Sequence, residues 1–266
     1  MPSDSGHIDF SVHPVMRTLP TITLAEMDSI GLMNRIDTKY VTHENILVEL
    51  LREAALRGYR VLETSAGKSN PYDSVYFDTE SLEMYRMHLH RKLVRQKIRT
   101  RMYVNSGQTF LEIKKKNNRG RTRKKRMEVS AEVLRDFRGD SGREDFITRI
   151  TGYPAGELHP SVETMFRRIT LVNASKTERL TIDTDLRFVH LPSGNERTLG
   201  NAVVIELKQD GRAASEMKGI LLDLRVKPLR MSKYCIGTAL TDPQAPKHRF
   251  KLKIRKIEKI INQSLT

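Results

Sequence analysis

Residues 97–116 read KIRTRMYVNSGQTFLEIKKK, and this stretch decides the fold class. Lys97, Arg99 and Arg101 alternate with Ile98, Thr100 and Met102. Beyond the turn formers Asn105, Ser106 and Gly107, Glu112, Lys114 and Lys116 alternate with Leu111 and Ile113. Successive side chains on a strand point to opposite faces, so each segment carries one ionic and one apolar face. Two such segments around a turn predict an antiparallel pair.

The pattern continues outward. Lys124 and Arg126 alternate with Lys125 and Met127 after the turn Asn117-Asn118-Arg119-Gly120, which extends the pair into a meander. Arg179, Thr181 and Asp183 surround Leu180 and Ile182, and Glu206 and Lys208 flank Leu207. Strands are predicted over 74–77, 94–104, 109–116, 124–129, 165–172, 179–184 and 202–208. A helix follows Thr42 as its cap, with Ile46, Leu47, Leu50, Leu51 and Ala54 on one face and Gly58 at its end. Shorter helical segments are predicted over 131–150, interrupted near Gly139 and Gly142, and over 213–224. No internal repeat occurs, and the two strand-rich halves read as one α+β domain over residues 21–242. Residues 1–20, with Pro2, Pro14 and Pro20, read as a flexible arm. Residues 243–266 read as a basic amphipathic helix, with Phe250, Ile254, Ile257 and Ile261 spaced among Lys251, Arg255, Lys256 and Lys259.

The 266 residues are 38% hydrophobic, enough for a core, and carry a formal charge of +15. That charge points to a polyanionic partner. Aromatic residues make up 6%, with no Trp, which argues against a nucleic-acid platform of stacked rings. The single cysteine, Cys235, excludes an internal disulfide and a multi-cysteine zinc site, and reads as structural. No signal-like start and no run of 18 apolar residues occurs, so a soluble cytoplasmic protein is expected. The C-terminal helix is read as docked on its own domain, with contact to an anionic membrane or a membrane protein as the alternative.

Two arrangements fit the ionic strand face: a wet sheet with charges paired across strands, or a lined channel. The excess of cations over acids favours a face that a polyanion neutralises. Other signatures fail. Gly67-Lys68-Ser69 lacks the glycine five positions earlier, where Leu62 stands, and reads as a surface turn. His88 and His90 alternate without metal-ligand spacing and read as surface histidines of a strand or turn. No G-x-S-x-G nucleophile elbow is present.

In order, Arg35-Ile-Asp-Thr-Lys-Tyr40, Ser74-Val-Tyr-Phe-Asp78, Lys97-Ile-Arg-Thr-Arg101, Leu111-Glu-Ile-Lys114, Arg179-Leu-Thr-Ile-Asp183, Ile205-Glu-Leu-Lys208 and Ser232-Lys-Tyr234 resemble one family. It is the VTC domain, the polyphosphate polymerase domain of the vacuolar transporter chaperone proteins, and the resemblance covers about residues 30–240. This family belongs to the triphosphate tunnel metalloenzymes, a CYTH-like superfamily. The resemblance therefore implies a closed antiparallel β-barrel of about eight strands around a basic tunnel. Hydrolytic members open with E-x-E-x-K, whereas Arg35, Asp37 and Lys39 stand at the equivalent positions. A cation in place of the first acid favours holding phosphate over metal-rich hydrolysis.

Carried over position by position, the resemblance gives catalytic roles to Arg99, Arg101, Lys114 and Arg179. It gives phosphate or ATP binding to Lys39, Lys124, Arg126 beside it, Arg168, Ser232 and Lys233, with Phe166 replacing the tyrosine of the family's Y-x-R. Lys97, Lys116 and Lys208, on the same strand faces, join the phosphate-binding set. Glu206 matches the metal-binding glutamate. The implied reaction is metal-dependent, with Mn²⁺ or Mg²⁺, and transfers the γ-phosphate of ATP to a growing polyphosphate chain. Its rivals are a triphosphatase or short-polyphosphate hydrolase of the same fold, and a non-catalytic polyanion-binding module.

Overall fold

The computed structural model describes residues 7–28, 30, 35–211 and 214–265. Its strands are β1 (Thr21–Ile22), β2 (Arg35–His43), β3 (Arg60–Leu62), β4 (Asn70–Asp78), β5 (Arg95–Tyr103), β6 (Thr109–Lys116) and β7 (Thr122–Val129). The second half adds β8 (His159–Val172), β9 (Glu178–His190), β10 (Glu196–Thr198) and β11 (Ala202–Asp210). The helices are α1 (Leu24–Asp28), α2 (Glu44–Leu56), α3 (Glu83–Leu89), α4 (Ser141–Thr151), α5 (Glu216–Asp223), α6 (Lys233–Thr241) and α7 (Lys251–Ile261).

One sheet joins the two halves in the order β2-β11-β9-β8-β4-β5-β6-β7, and every neighbouring pair in that path is antiparallel. β10 extends β9, and β3 pairs with β8 and, in parallel, with β1. Register shifts at Tyr76/Phe77 and Met165/Arg167 bend the sheet in its middle. The eight-strand antiparallel path is the one expected; its closure is not. β2 and β7 end the order without pairing to each other, so the tunnel-like fold is an open path. β7 carries Arg123, Lys124, Lys125 and Arg126 in succession, and charged side chains are a common device by which an edge strand stays unpaired.

Apolar positions of the strands form the outer layer. Ile169, Leu171, Leu180, Ile182, Ile205 and Leu207 pack under α2 and α5, while Val75, Ile98, Leu111 and Ile113 pack under α4. α2 starts one residue later than predicted, because Thr42 still belongs to β2 and the His43 ring accepts the Asn45 amide at 3.1 Å as the cap. The predicted helix over 131–150 resolves into a single 3₁₀ turn and α4. Residues 7–20 are packed rather than loose: Phe10, Val15, Met16 and Leu19 are buried against the α2 layer, which corrects the expected arm for that part. Residues 1–6 lie outside the described residues. Lys68 ties this segment down, donating to the carbonyls of Met16 at 2.8 Å and Leu19 at 3.0 Å, so the Gly67-Lys68-Ser69 string has a structural task. His88 and His90 are corrected too. His88 lies half-buried within α3 and His90 caps its end.

α6 and α7 cover one end of the sheet's inner face. Val41, Tyr76, Val162, Phe188 and Val204 join Tyr234, Cys235 and Ile236 in one cluster. Cys235 is buried there, in the structural role expected of it. Gly237 lets α6 approach: a Cβ at that position would stand 2.8 Å from Phe188 Cδ1. The apolar side of α7, with Ile254, Ile257 and Ile261, is buried in the same cluster against β2 and β11, leaving Lys251, Arg255, Lys256 and Lys259 outside. No helix among the described residues is long and apolar enough to cross a membrane.

Candidate active site

Register alone assembles the concave ionic face. Lys97, Arg99 and Arg101 of β5 lie opposite Lys114, Glu112 and Phe110 of β6, which lie opposite Lys124, Arg126 and Glu128 of β7. In the other half Arg168 lies opposite Asp183, Arg179 opposite Lys208, and Glu206 opposite Lys39. The halves meet across the groove: Lys114 feels the charges of Arg99 and Arg101 and also that of Glu206.

Carboxylates fix the cations in place. Glu112, almost fully buried, accepts Arg99 Nε at 2.8 Å and also pairs with Lys124. Asp183 takes Arg168 in a forked contact, Nε at 2.6 Å and Nη2 at 2.9 Å, and pairs with Lys233. Glu206 takes Lys39 at 3.0 Å and Lys208 at 3.2 Å. Burial opposes ionisation of all three acids, but the adjacent cations hold each carboxyl below its usual range.

Aromatic rings form the floor. Tyr72 and Phe166 stack at 5.4 Å and 8°, and the guanidinium of Arg101 lies 5.5 and 5.6 Å from their centres. Arg168 lies over the same rings at 5.0 and 5.2 Å, and Lys233 is 4.4 Å from Phe166. Phe166 therefore supplies the flat face that a tyrosine would, without its hydroxyl. Arg99 Nη1 donates to the Tyr76 hydroxyl at 3.0 Å, and Arg101 Nε donates to Ser74 at 3.0 Å.

The acids do not neutralise the cations. The charge of Arg99, then enclosure and the charge of Arg101, depress Lys114 to about 6. Burial and the charge of Arg168 outweigh Asp183 and bring Lys233 to about 8. Arg101 falls to about 10 through burial and the charges of Arg99 and Arg168. Burial raises the Tyr76 phenol, yet Arg99, Arg101 and Lys97 together bring it down to about 8. The α6 N-terminus adds to this field: Ser232 Oγ accepts the Cys235 amide at 3.2 Å and Lys97 Nζ at 2.7 Å.

Of the residues singled out from sequence, Lys39, Lys97, Arg99, Arg101, Lys114, Lys124, Arg168, Lys208, Glu206, Ser232 and Lys233 form this connected face. Arg126 is exposed and stacks over Phe110 at 4.5 Å, towards the β7 edge. Lys116 ends β6 beside the turn to β7. Arg179 lies one cross-strand position beyond Glu206, beside Lys208. Three contributors went unassigned in the sequence reading, namely Glu112, Asp183 as an anchor, and Tyr76; each sits on the ionic side of its strand's alternation, the signal that could have found them.

A metal has limited protein support. No group of three His, Cys, Asp or Glu that could hold a cation occurs among the described residues. Asp37 is engaged by Arg35 at 3.0 Å. Glu206 pairs with Lys39 and Lys208 through its two oxygens, so it would join a hard divalent cation as one ligand among phosphate oxygens and water. The donor set fits a metal that brings most of its ligands with it.

The site is thus a curved antiparallel sheet lined by Arg and Lys, anchored by scattered acids and covered outside by helices. The fold matches two solved structures: an adenylyl cyclase candidate from Hippeastrum, reported to have a dominant triphosphatase activity, and an adenylate cyclase candidate from Bacillus halodurans. The first aligns at TM-score 0.52 and 14% identity over 77% of this chain and 95% of that one. The second aligns at TM-score 0.50 and 14% identity over 75% and 96%. No curated protein sequence matches the chain. The VTC domain model matches residues 34–242, and the chain belongs to that family.

Proposed function

We propose that this protein is a polyphosphate polymerase that moves the γ-phosphate of ATP onto the end of an inorganic polyphosphate chain. The observation that carries the reading is the surplus of positive charge on the groove, where Arg99 and Arg101 depress the basicity of Lys114, burial and Arg168 that of Lys233, and burial with Arg99 and Arg168 that of Arg101. Two phosphate charges about 4 Å apart repel by about 4 kcal/mol at an effective dielectric of about 20. A face with unspent positive potential offsets that repulsion for a chain of phosphates, not for one.

In this reading Arg99, Arg101, Lys114 and Arg179 grip the reacting phosphates, while Lys39, Lys97, Lys124, Arg168, Lys208, Ser232 and Lys233 hold the remainder of donor and acceptor. Arg126 and Lys116 extend the cationic track to the β7 edge. The attacking oxygen is a terminal polyphosphate oxygen, already ionised near neutral pH, so no general base is required. It bonds to the γ-phosphorus as the bond to the bridging oxygen breaks and ADP leaves, and catalysis consists of alignment and charge stabilisation. A Mn²⁺ or Mg²⁺ ion held by Glu206 would supply charge neutralisation to the nucleotide phosphates.

The Arg35–Asp37 pair supports transfer over hydrolysis, since the first strand offers a carboxylate already matched by a cation. The protein incubated with ATP and Mn²⁺ should give a phosphatase-resistant ladder on a gel that an exopolyphosphatase digests. Free phosphate accumulating without chains would instead establish a triphosphatase, and salt-sensitive polyphosphate binding without ADP release would establish a binding module.

A further inference from the structure

On the convex side of the sheet, away from the ionic groove, a cavity of about 610 Å³ opens between β5, β6 and the end of α4. Gln96 and Lys115 form part of its wall; they are cross-strand partners on the side opposite Lys97 and Lys114. Met87, Leu93, Val94 and Tyr153 supply its apolar surface, and its charged lining is entirely cationic: Lys92, Arg95 and Lys115. Leu93 and Val94 stand beside it, 64% and 59% exposed. Other large exposed aliphatics among the described residues, such as Leu56, Leu222 and Leu252, are not adjacent to another in sequence.

The loop that presents this pair is held in shape. Arg91 adopts φ 55° as the Lys92 amide bonds back to the Met87 carbonyl at 3.0 Å, and Arg95 Nη1 donates to the Lys92 carbonyl at 2.6 Å. Inside the cavity the Gln96 side chain donates to the Thr151 carbonyl at 3.2 Å, but its Oε1 has no partner although the residue is 7% exposed. A buried acceptor without a donor is a costly arrangement. Glu83 accepts the hydroxyl hydrogen of Tyr153, one of the lining residues, at 2.6 Å.

We infer that this surface docks on an anionic lipid bilayer: Leu93 and Val94 enter the interface, and a phospholipid headgroup occupies the cationic cavity. Two protruding aliphatics flanked by Arg91 and Lys92 on one side and Arg95 on the other match a bilayer's layering, apolar tails beneath anionic phosphates. The surface differs from α7, whose apolar side is already buried, and the inference does not rest on the reaction assigned to the groove.

The chain contains no Trp, so Leu93→Trp in the full chain is a single fluorescent reporter. Its emission should shift to the blue with vesicles of phosphatidylcholine and phosphatidylserine, and not with phosphatidylcholine alone. Leu93→Ser with Val94→Ser should lower sedimentation with the mixed vesicles about tenfold, in proportion to the apolar area withdrawn. An unshifted spectrum while the protein sediments would overturn the inference, because adhesion then comes from the groove or another basic face. So would loss of sedimentation in Lys251→Glu with Lys256→Glu but not in the serine variant. Absence of any vesicle binding overturns it as well and leaves the patch to an acidic protein.

Discussion

Glu112 stands directly across from Arg99 on the neighbouring strand and accepts its Nε hydrogen at 2.8 Å. The guanidinium is thereby aimed before any phosphate arrives, with Tyr76 holding its other side. Each acid of the face plays this part for a different cation, so the groove is preorganised as well as positive.

Glu112→Gln should destabilise the fold by roughly 3 kcal/mol, because buried Arg99 loses its counter-charge. Chemical denaturation measures this. Added tripolyphosphate should recover more stability in the variant than in the parent, since the ligand then supplies the missing negative charge; equal recovery would mean that Glu112 matters for packing alone.

Arg99→Ala should reduce chain synthesis from ATP about 10²- to 10³-fold, the loss expected for one preorganised donor. Initial rates of ADP release, compared at matched folded fraction, provide the check. A near-normal rate would remove Arg99 from the reacting centre.

Lys114 carries a pH dependence that spans neutrality. Its basicity falls from 10.5 to about 6 in the folded protein, so the unfolded chain binds the extra proton between those values. Stability from this residue therefore rises with pH across that window and is lost as pH falls towards 6. A bound polyanion reverses the depression. Binding of tripolyphosphate at pH 7.5 should draw a proton from the buffer onto Lys114, seen as a buffer-dependent heat in calorimetry, and Lys114→Met should abolish most of that uptake. Unchanged uptake would transfer the effect to Lys233 or Tyr76.

Glu206→Ala should raise the Mn²⁺ concentration needed for half-maximal activity by about tenfold or more, while tripolyphosphate binding without metal persists. Titration of metal at fixed ATP separates the two. An unchanged requirement would mean that the phosphates alone hold the cation.

Gly237→Ala should cost about 1–3 kcal/mol through overpacking, because its Cβ would meet Phe188 at 2.8 Å and Val162 at 3.2 Å. Thermal unfolding reads it directly, and a neutral result would show that Phe188 can yield.

How far the sequence could be read depended on whether alternation survived. β6 was predicted at its observed limits, Thr109–Lys116, because Leu111 to Lys114 alternate apolar and ionic and clear turns bound the strand on both sides. β8 begins six residues earlier than the predicted 165, since the register shift at Met165/Arg167 breaks the alternation there. α6 was not predicted as a helix, because Tyr234, Cys235, Ile236, Gly237, Thr238, Ala239 and Thr241 are all buried. A helix enclosed on every side shows no polar face and hence no period. α3 escaped notice for a different reason: it is one short run entered through Leu82 at φ 57°.

Alternation in residues 97–116 by itself determined that the chain forms antiparallel strands with one cationic face, because strand geometry imposes a period of two whatever the surroundings. The ordered motifs added which cations belong together. Only the tertiary structure decided which acids restrain them, that α6 covers the apolar end of the face, and that the path stays open between β2 and β7. Those outcomes depend on groups far apart in the chain, such as Lys114 and Glu206, whose interaction exists only once curvature has brought both halves of the sheet around the same space.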